Sequence, residues 1–222
     1  MEINIINQML SEAKRLGTAV VWDKGMGYVK IIKQHSLQNF TPNLFLAGPV
    51  FPVETKGEIL PVLQGLNKVP EGSVLLIKDY CQKKALLGDI VMLAAKQKNL
   101  SGIVCLGGVR DVAEASILEL PVWALFCSPM AASLGKINRD THYTKSISIG
   151  DVSFDLGDWI FGDMDGMLYV PKEHARLIIK SASIKNKKEE MYKKRIIAGE
   201  DIIKMMNIEG HILRDEPIIV EF

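Results

Sequence analysis

The amino-acid sequence predicts an α/β domain followed by a helical extension. The first observation is that short apolar, β-branched runs alternate with helix-patterned runs through the middle of the chain, as in a sheet covered by helices. The second is a change of pattern over 146–171, where closely spaced strands are separated by Gly-Asp and Asp-Gly turns typical of antiparallel hairpins. The third is that the residues after 171 are mostly helical in pattern.

The elements follow from hydrophobic periodicity, taken in chain order. An opening helix is predicted over 3–16, because apolar residues recur there at helical spacing, namely Ile6, Met9, Leu10 and Ala13. Short apolar runs predict strands at 43–53, 70–79 (after a turn), 101–108 and 120–128. Between them the spacing predicts helices at 58–68, 85–99 and 110–119.

The organisation that we expect is a core and an appendage. Residues 1–171 form an α/β core that includes the opening helix, and residues 172–222 form a helical extension that packs on the core or on a neighbouring subunit. Within the extension, Lys180–Arg195 holds seven basic and two acidic residues. We interpret this charge as a solvated helix face, or as a contact with a subunit of opposite charge.

Composition and charge narrow the class of protein. The chain has 222 residues, 48% hydrophobic and 24% charged, which is ordinary for a globular domain with a sizeable core. Lys and Arg total 27 against 26 for Asp and Glu, a net charge of +1. Because affinity for nucleic acid rests on a basic surface, this balance does not favour a nucleic-acid partner.

The cysteines and the apolar runs indicate the compartment. Cys81, Cys105 and Cys127 are widely spaced and form no CxxC pair, so we expect free thiols and a reducing environment. No apolar run approaches the roughly 20 residues that span a bilayer. The N-terminus also lacks the cationic start and apolar run of a secretory signal. We therefore expect a cytoplasmic protein with no membrane partner.

One unit in the middle of the chain predicts a ligand site. A strand ends near Asp79, a helix starts close to Asp89, and the next strand stops at Gly107-Gly108. In a right-handed βαβ unit, the start of the helix and the end of the second strand lie at the same edge of the sheet. Asp89 should therefore meet Arg110 and Asp111 at the edge where open α/β sheets bind ligands.

The residue types at this edge suit a small anion and a divalent cation. Arg110 can hold a carboxylate in a bidentate clamp, and Asp111 is a hard oxygen ligand of the kind that Mg²⁺ takes together with waters and a chelating substrate. A substrate carboxylate can also meet the free amides at the start of the predicted helix, those of Gly88, Asp89, Ile90 and Val91.

These residues also form a recognisable motif. The pattern Asp89-x20-Arg110-Asp111-x2-Glu114 resembles the signature of the RraA-like family, which includes class II 4-hydroxy-4-methyl-2-oxoglutarate (4-carboxy-4-hydroxy-2-oxoadipate) aldolases and protein regulators of ribonuclease E. Further segments are similar to the family in the same order: 15–23, 46–53, 85–112 and 157–171. The resemblance implies a layered β/β/α domain of the swivelling type with a C-terminal helical extension.

What the resemblance implies for function is a metal-dependent lyase. Enzymes of the family cleave 4-hydroxy-2-oxo acids to pyruvate and a second oxo acid, and many decarboxylate oxaloacetate. By resemblance, Asp111 would bind Mg²⁺ or Mn²⁺, and Arg110 would hold the pyruvyl carboxylate together with the amides of 88–91. Asp89 would orient a water for proton transfer. The family also implies a homotrimer or homohexamer, in which Glu189 or Glu190 would reach a neighbouring subunit's site.

The sequence departs from the family pattern at two places. Leu106 stands where the family usually has an aspartate, and the segment 78–85 lacks the glycine-rich loop common there. Losing the carboxylate at 106 would remove a negative charge close to the metal, with consequences for metal affinity and substrate choice.

Other interpretations of the same residues remain open at this point. Asp111 with Glu114 three residues later also fits the capped start of a helix, and Asp163-Met164-Asp165-Gly166 is most simply a hairpin turn. The main alternative function is a non-enzymatic regulator that binds a ribonuclease or helicase partner on the same fold. A third is a lapsed enzyme that keeps the fold with weak lyase activity.

Overall fold

The computed structural model describes residues 2–135 and 143–206. Its elements, in chain order, are α1 (Glu2–Ala13), α2 (Thr18–Gly25), β1 (Lys30–Ile31), β2 (Gln38–Asn39), β3 (Leu46–Thr55), α3 (Leu60–Lys68), β4 (Val74–Asp79), β5 (Ala85–Leu87), α4 (Asp89–Gln97), β6 (Gly102–Val109), α5 (Val112–Ile117), β7 (Val122–Cys127), β8 (Ser146–Ile149), β9 (Val152–Asp155), β10 (Trp159–Asp163), β11 (Gly166–Val170), α6 (Lys172–Ile197) and α7 (Ile202–Met205).

Most strands belong to one mixed sheet in the order β1-β11-β10-β3-β4-β6-β7-β2, with β5 beside β6. The run β3-β4-β6-β7 is parallel, and every residue of β6 is buried, as expected for a parallel strand covered on both faces. Helices α3, α4 and α5 pack on one face of these strands, and the separate hairpin β8–β9 packs on the other. The layers are thus hairpin, sheet and helices.

The antiparallel end of the sheet has its own covering of helices. Strands β10 and β11 pack against α1, α2 and the first half of α6 through a second apolar cluster, in which α6 buries Ala175, Ile178, Ile179 and Ala182. The second half of α6 is largely exposed. The boundary at 171 is untested and stays a prediction, and residues 207–222 of the predicted extension lie outside the described residues.

The order of strands and helices predicted over 43–128 is confirmed with one correction, whereas the two-residue strands β1 and β2 were not predicted. The segment 85–99 is wrong as a single helix, because residues 85–87 form β5 and the helix begins only at Asp89. Apolar periodicity does not distinguish a three-residue buried strand from a first helical turn, and Gly88 separates the two elements with extended dihedral angles. None of the described helices is long and apolar enough to cross a membrane.

Candidate active site at the carboxyl ends of the parallel strands

Strand β5 brings the start of α4 to the end of β6. Ala85 is in register with Gly108, and the backbone amide of Arg110 donates to the carbonyl of Leu87 over 2.9 Å. All three residues of β5 are buried, so apolar packing fixes the strand at this edge. The chain then turns at Gly88 into α4, directly beside the residues that follow β6.

The residues predicted to meet do meet. The Asp89 amide nitrogen lies 3.4 Å from Asp111 Oδ2, although the two residues are far apart in sequence. Arg110 Nε is also 3.4 Å from Asp111 Oδ2. At Gly88, a Cβ atom would come within 2.9 Å of Asp111 Oδ2 and 3.0 Å of Arg110 Nε. A side chain at position 88 would therefore press on both groups, which explains the glycine.

The backbone of Asp111 is in the left-handed region, with φ 55° and ψ 37°. This conformation costs a non-glycine residue roughly 1–3 kcal/mol and is common at functional sites. Asp111 occupies the position before α5, but its side chain makes no capping hydrogen bond. The capping interpretation is therefore wrong, because a capping residue needs extended dihedral angles to reach the helix amides. The carboxylate is turned towards Asp89 and Arg110 instead.

Both members of the Arg110–Asp111 pair are accessible to solvent. Their side chains are 42% and 43% exposed, and an ion pair between accessible groups is worth at most about 1 kcal/mol. Each group can therefore change its partner at little cost in free energy. Arg110 can bind a substrate carboxylate instead, and Asp111 can bind a cation. The site is open on this side.

The amides at the start of α4 are less free than predicted. The Ile90 amide donates to Oδ1 of Asp89 over 2.8 Å, and the Asp89 amide faces Asp111. The expectation of four free amides is therefore wrong for these two in the structure. The cause is chemical: carboxylates are attracted to the positive end of a helix, and two of them lie within reach. The other two residues of the predicted set, Gly88 and Val91, lie in the same turn at the start of α4.

The donor set fits a hard divalent cation. Among residues 2–135 and 143–206, no three His, Cys, Asp or Glu side chains cluster so as to hold a metal. Asp111 offers one accessible carboxylate, and Mg²⁺ or Mn²⁺ is commonly held by one or two carboxylates, several waters and the substrate. The missing side chain at Gly88 leaves space beside Oδ2. The arrangement suits such an ion better than it suits zinc.

Leu106 is explained by its surroundings. Its side chain is 2% exposed and belongs to the apolar cluster between the sheet and the β8–β9 hairpin, with Val104 and Phe154. A carboxylate in that cluster would have to be paired or protonated. The apolar residue therefore completes the core at the position where the resemblance implied an aspartate.

Asp79 is a neighbour of the site that sequence reasoning passed over. It is fully buried at the end of β4, and its Cβ would lie 2.9 Å from a Cβ built on Gly107. The available signal was an acidic residue ending the apolar run VLLIKD. Burial and, secondarily, the Asp79 charge raise the pKa of the Cys105 thiol, so this cysteine is a neutral core residue.

The two candidate acids of the C-terminal helix are engaged within α6. The carboxylate of Glu189 lies 3.4 Å from Lys185 Nζ, and that of Glu190 lies 2.7 Å from Lys193 Nζ. The hydrogen bond and charge of Lys193 lower the pKa of Glu190. Neither contact tests whether one of these residues reaches a neighbouring site, and that expectation stays a prediction.

Comparison with known proteins places this geometry in context. A family model described as RraA-like (Aldolase/RraA) matches residues 18–169. An uncharacterised protein of Methanocaldococcus jannaschii is 34% identical over 128 residues, 56% of this chain and 59% of that protein. A protein of Halalkalibacterium halodurans, provisionally named 4-hydroxy-4-methyl-2-oxoglutarate aldolase, is 29% identical over 154 residues, 68% of this chain and 71% of that protein.

A solved structure shows the same fold. The RNA-processing inhibitor RraA from Thermus thermophilus superposes with a TM-score of 0.58 at 22% identity, covering 65% of this chain and 86% of that one. At this identity the likeness concerns the fold alone. The predicted α/β fold of the RraA-like type is confirmed, with α6 as its long C-terminal helix.

Proposed function

The chain belongs to the RraA-like family, and we propose that it is a divalent-metal-dependent lyase acting on small 2-oxo acids. The reaction is aldol cleavage of a 4-hydroxy-2-oxo acid to pyruvate, decarboxylation of oxaloacetate, or both. The observation that carries the proposal is the convergence of Asp89, Arg110 and Asp111 at the carboxyl ends of the parallel strands. Relatives provisionally named as aldolases support it.

The substrate is held mainly by Arg110. Arg110 directly follows the buried strand β6, and its guanidinium Nε faces the carboxylate that would hold the cation. A planar fork of this kind matches a carboxylate in a bidentate geometry. The 2-oxo acid is thereby oriented with its carboxylate on Arg110 and its 2-oxo oxygen towards Asp111.

Asp111 would hold Mg²⁺ or Mn²⁺, which when bound supplies Lewis-acid stabilisation of negative charge on the 2-oxo oxygen. In aldol cleavage the 4-hydroxyl loses its proton, the C3–C4 bond breaks, and its electron pair forms the enolate of pyruvate. A proton then returns to C3. Asp89 orients the water that carries these protons; its carboxylate is exposed at the start of α4, and its amide lies 3.4 Å from Asp111 Oδ2.

The assembly that we propose is a homotrimer or homohexamer with sites between subunits. The site is open to solvent in the single chain, and the large apolar side chain of Ile90, next to Asp89 in α4, is 78% exposed. A neighbouring subunit would cover this side chain and bring Glu189 or Glu190 to the site. Light scattering after gel filtration tests the assembly, and a monomer at micromolar concentration contradicts it.

The test of the function is pyruvate release from oxaloacetate and from 4-hydroxy-4-methyl-2-oxoglutarate, with Mg²⁺ and then with excess chelator. We expect release above the metal-only background, and we expect the chelator to abolish it. No release with Mg²⁺, Mn²⁺ or other divalent cations would contradict the lyase. That outcome would favour the regulator that binds a ribonuclease or helicase partner.

A further inference from the structure

Asp79 holds a loop next to the site through three backbone amides. Its Oδ1 accepts hydrogen bonds from the amides of Gly57 over 2.8 Å and Cys81 over 2.9 Å, and its Oδ2 accepts from Gln82 over 3.0 Å. The carboxylate is fully buried. Hydrogen bonds to an ionised acceptor are stronger than neutral ones, so these contacts fasten the start of the loop 80–84 to the segment before α3.

The loop adopts one strained backbone conformation where Asp79 binds it. Gln82 has φ +49°, and the left-handed region is unfavourable for a residue with a side chain, whereas glycine adopts it freely, as Gly57 does with φ +79°. Glutamine, unlike asparagine, aspartate or glycine, is not a residue type that favours this conformation. The hydrogen bond from the backbone amide of Gln82 to Asp79 compensates for the cost.

The same loop leads directly into the site. After Lys84 the chain forms β5, continues through Gly88, and reaches Asp89. On the other side, Asp79 lies against Gly107 of β6, where a Cβ would come within 2.9 Å of the Asp79 Cβ. One buried side chain thus contacts β6, which Arg110 directly follows, and the loop that leads to Asp89.

We propose that Asp79 is a positioning residue, which sets the separation between Gly88-Asp89 and Arg110-Asp111 by holding the loop 80–84 against β6. Its kinetic consequence rests on the proposed lyase activity, whereas its structural consequence does not. Asp79 does not touch the reacting atoms. It acts through β5, whose pairing with β6 fixes the start of α4.

The test variant is Asp79→Asn, with Asp158→Asn as its matched control. In Asp79→Asn the amide oxygen can accept two of the three hydrogen bonds, but the NH₂ group would face the Gln82 amide. Asp158 is similarly buried, at 4% exposure, and accepts from the amides of Asp155 over 2.8 Å and Lys172 over 3.0 Å. Asp158 directly precedes β10 and binds the first amide of α6, outside the unit that carries the site.

Hydrogen–deuterium exchange measures the structural consequence. We expect residues 85–91 to exchange at least about tenfold faster in Asp79→Asn and at the wild-type rate in Asp158→Asn. Unchanged exchange over 85–91 in Asp79→Asn overturns the proposal. If that variant does not fold, Gly57→Ala tests the same loop, because its Cβ would press on Cys81 at 3.0 Å. The same acceleration is expected there, and its absence contradicts the proposal.

Steady-state kinetics measure the catalytic consequence. A displacement of about 1 Å can cost up to 10²-fold in rate, so we expect kcat of Asp79→Asn to fall by roughly tenfold or more. KM should change by less than about twofold, because Arg110 stays on β6. The double variant Asp79→Asn/Gln82→Gly should recover part of kcat, because glycine removes the strain of the left-handed backbone at position 82. An equal fall in kcat for Asp158→Asn would overturn the positioning role. If the wild type releases no pyruvate, the proposed lyase activity is contradicted, and the exchange measurement still tests the positioning role of Asp79.

Discussion

Two groups of aspartates in this protein have opposite surroundings. Asp158 and Asp163 are buried, and their carboxylates accept hydrogen bonds from backbone amides or from a hydroxyl. Asp89 and Asp111 are exposed, and both lie at the start of α4, where the backbone amide of Asp89 faces the Asp111 carboxylate. The first group stabilises the scaffold, because each of its carboxylate oxygens accepts at least one hydrogen bond within the protein. The second keeps capacity for a ligand, which is what a binding site requires.

Asp163 shows how the scaffold uses such a residue. Its Oδ2 accepts from the Thr18 amide over 2.7 Å, and its Oδ1 accepts from the Thr18 hydroxyl over 2.7 Å and the Asp165 amide over 2.9 Å. The turn between β10 and β11 is thereby tied to the start of α2. The hairpin-turn interpretation of 163–166 is confirmed, and the additional link to α2 is a long-range contact that a local motif cannot reveal.

The largest effect is expected at Asp111. Asp111→Asn keeps the side-chain shape and tolerates the left-handed backbone, but it removes the charged ligand. We expect pyruvate release to fall by about 100-fold or more, because Lewis-acid stabilisation is worth several kcal/mol. Glu119→Gln is the control, since Glu119 is also acidic, exposed and left-handed, with φ +51°. Equal activity of Asp111→Asn and wild type would remove Asp111 from the site.

The next effect, on stability, is expected at Asp163. Asp163→Asn places an NH₂ group against a Thr18 donor in a buried position, so we expect the free energy of unfolding to fall by about 2 kcal/mol. Asp165→Asn should change it by less than about 0.5 kcal/mol, because Asp165 is exposed. Urea denaturation measures both. Indistinguishable midpoints would mean that the buried contacts do not stabilise the fold.

A smaller effect is expected at Arg110. Arg110→Lys keeps the positive charge but loses the planar fork, so KM for the 2-oxo acid should rise by roughly tenfold. The midpoint of unfolding should not change, because the Arg110–Asp111 pair is accessible to solvent. Steady-state kinetics at saturating Mg²⁺ measure the change, and an unaltered KM would argue against bidentate binding.

The smallest expected effect is on stability, for the ion pairs that the buried Lys185 makes with the accessible Asp23 and the partly buried Glu189. Burial alone would lower the pKa of Lys185, but hydrogen bonds and charges from Asp23 and Glu189 outweigh it and raise the pKa above the ordinary 10.5. A raised lysine pKa contributes stability that is complete below pH 10.5 and is lost as pH rises through the folded-state pKa.

Lys185→Met should therefore remove a contribution of about 1 kcal/mol or less at neutral pH, because the Asp23 carboxylate is 46% exposed. The difference from wild type should shrink above about pH 10.5. Urea unfolding between pH 8 and 11 measures this, and a difference that grows with pH would contradict the sign.

Much of the site was predictable because the handedness of a βαβ unit is nearly invariant. That rule places Asp89 beside Arg110 and Asp111 from strand and helix order alone. Strand β5 was not predictable, because a three-residue buried run carries no period of its own. The left-handed backbone of Asp111 was not predictable from the sequence for a similar reason. The same residues fit a helix cap, and only the three-dimensional surroundings decide which way the carboxylate turns.

Some elements of the fold were likewise predictable from the sequence, and others were not. Continuous apolar runs revealed the buried parallel strands, because both of their faces are covered. The two-residue strands β1 and β2 depend on their partners β11 and β7 and leave no local signal. Asp79 is similar, since its three amide donors come from two separate segments of the chain.

The most direct test of the central claim is a Mn²⁺ titration followed by electron paramagnetic resonance, with and without pyruvate. The claim is that the accessible carboxylate of Asp111 holds the cation that activates a 2-oxo acid bound by Arg110. We predict that the wild type and Glu119→Gln bind Mn²⁺, more tightly with pyruvate present, and that Asp111→Asn loses this binding. Equal Mn²⁺ binding by Asp111→Asn and wild type would contradict the account.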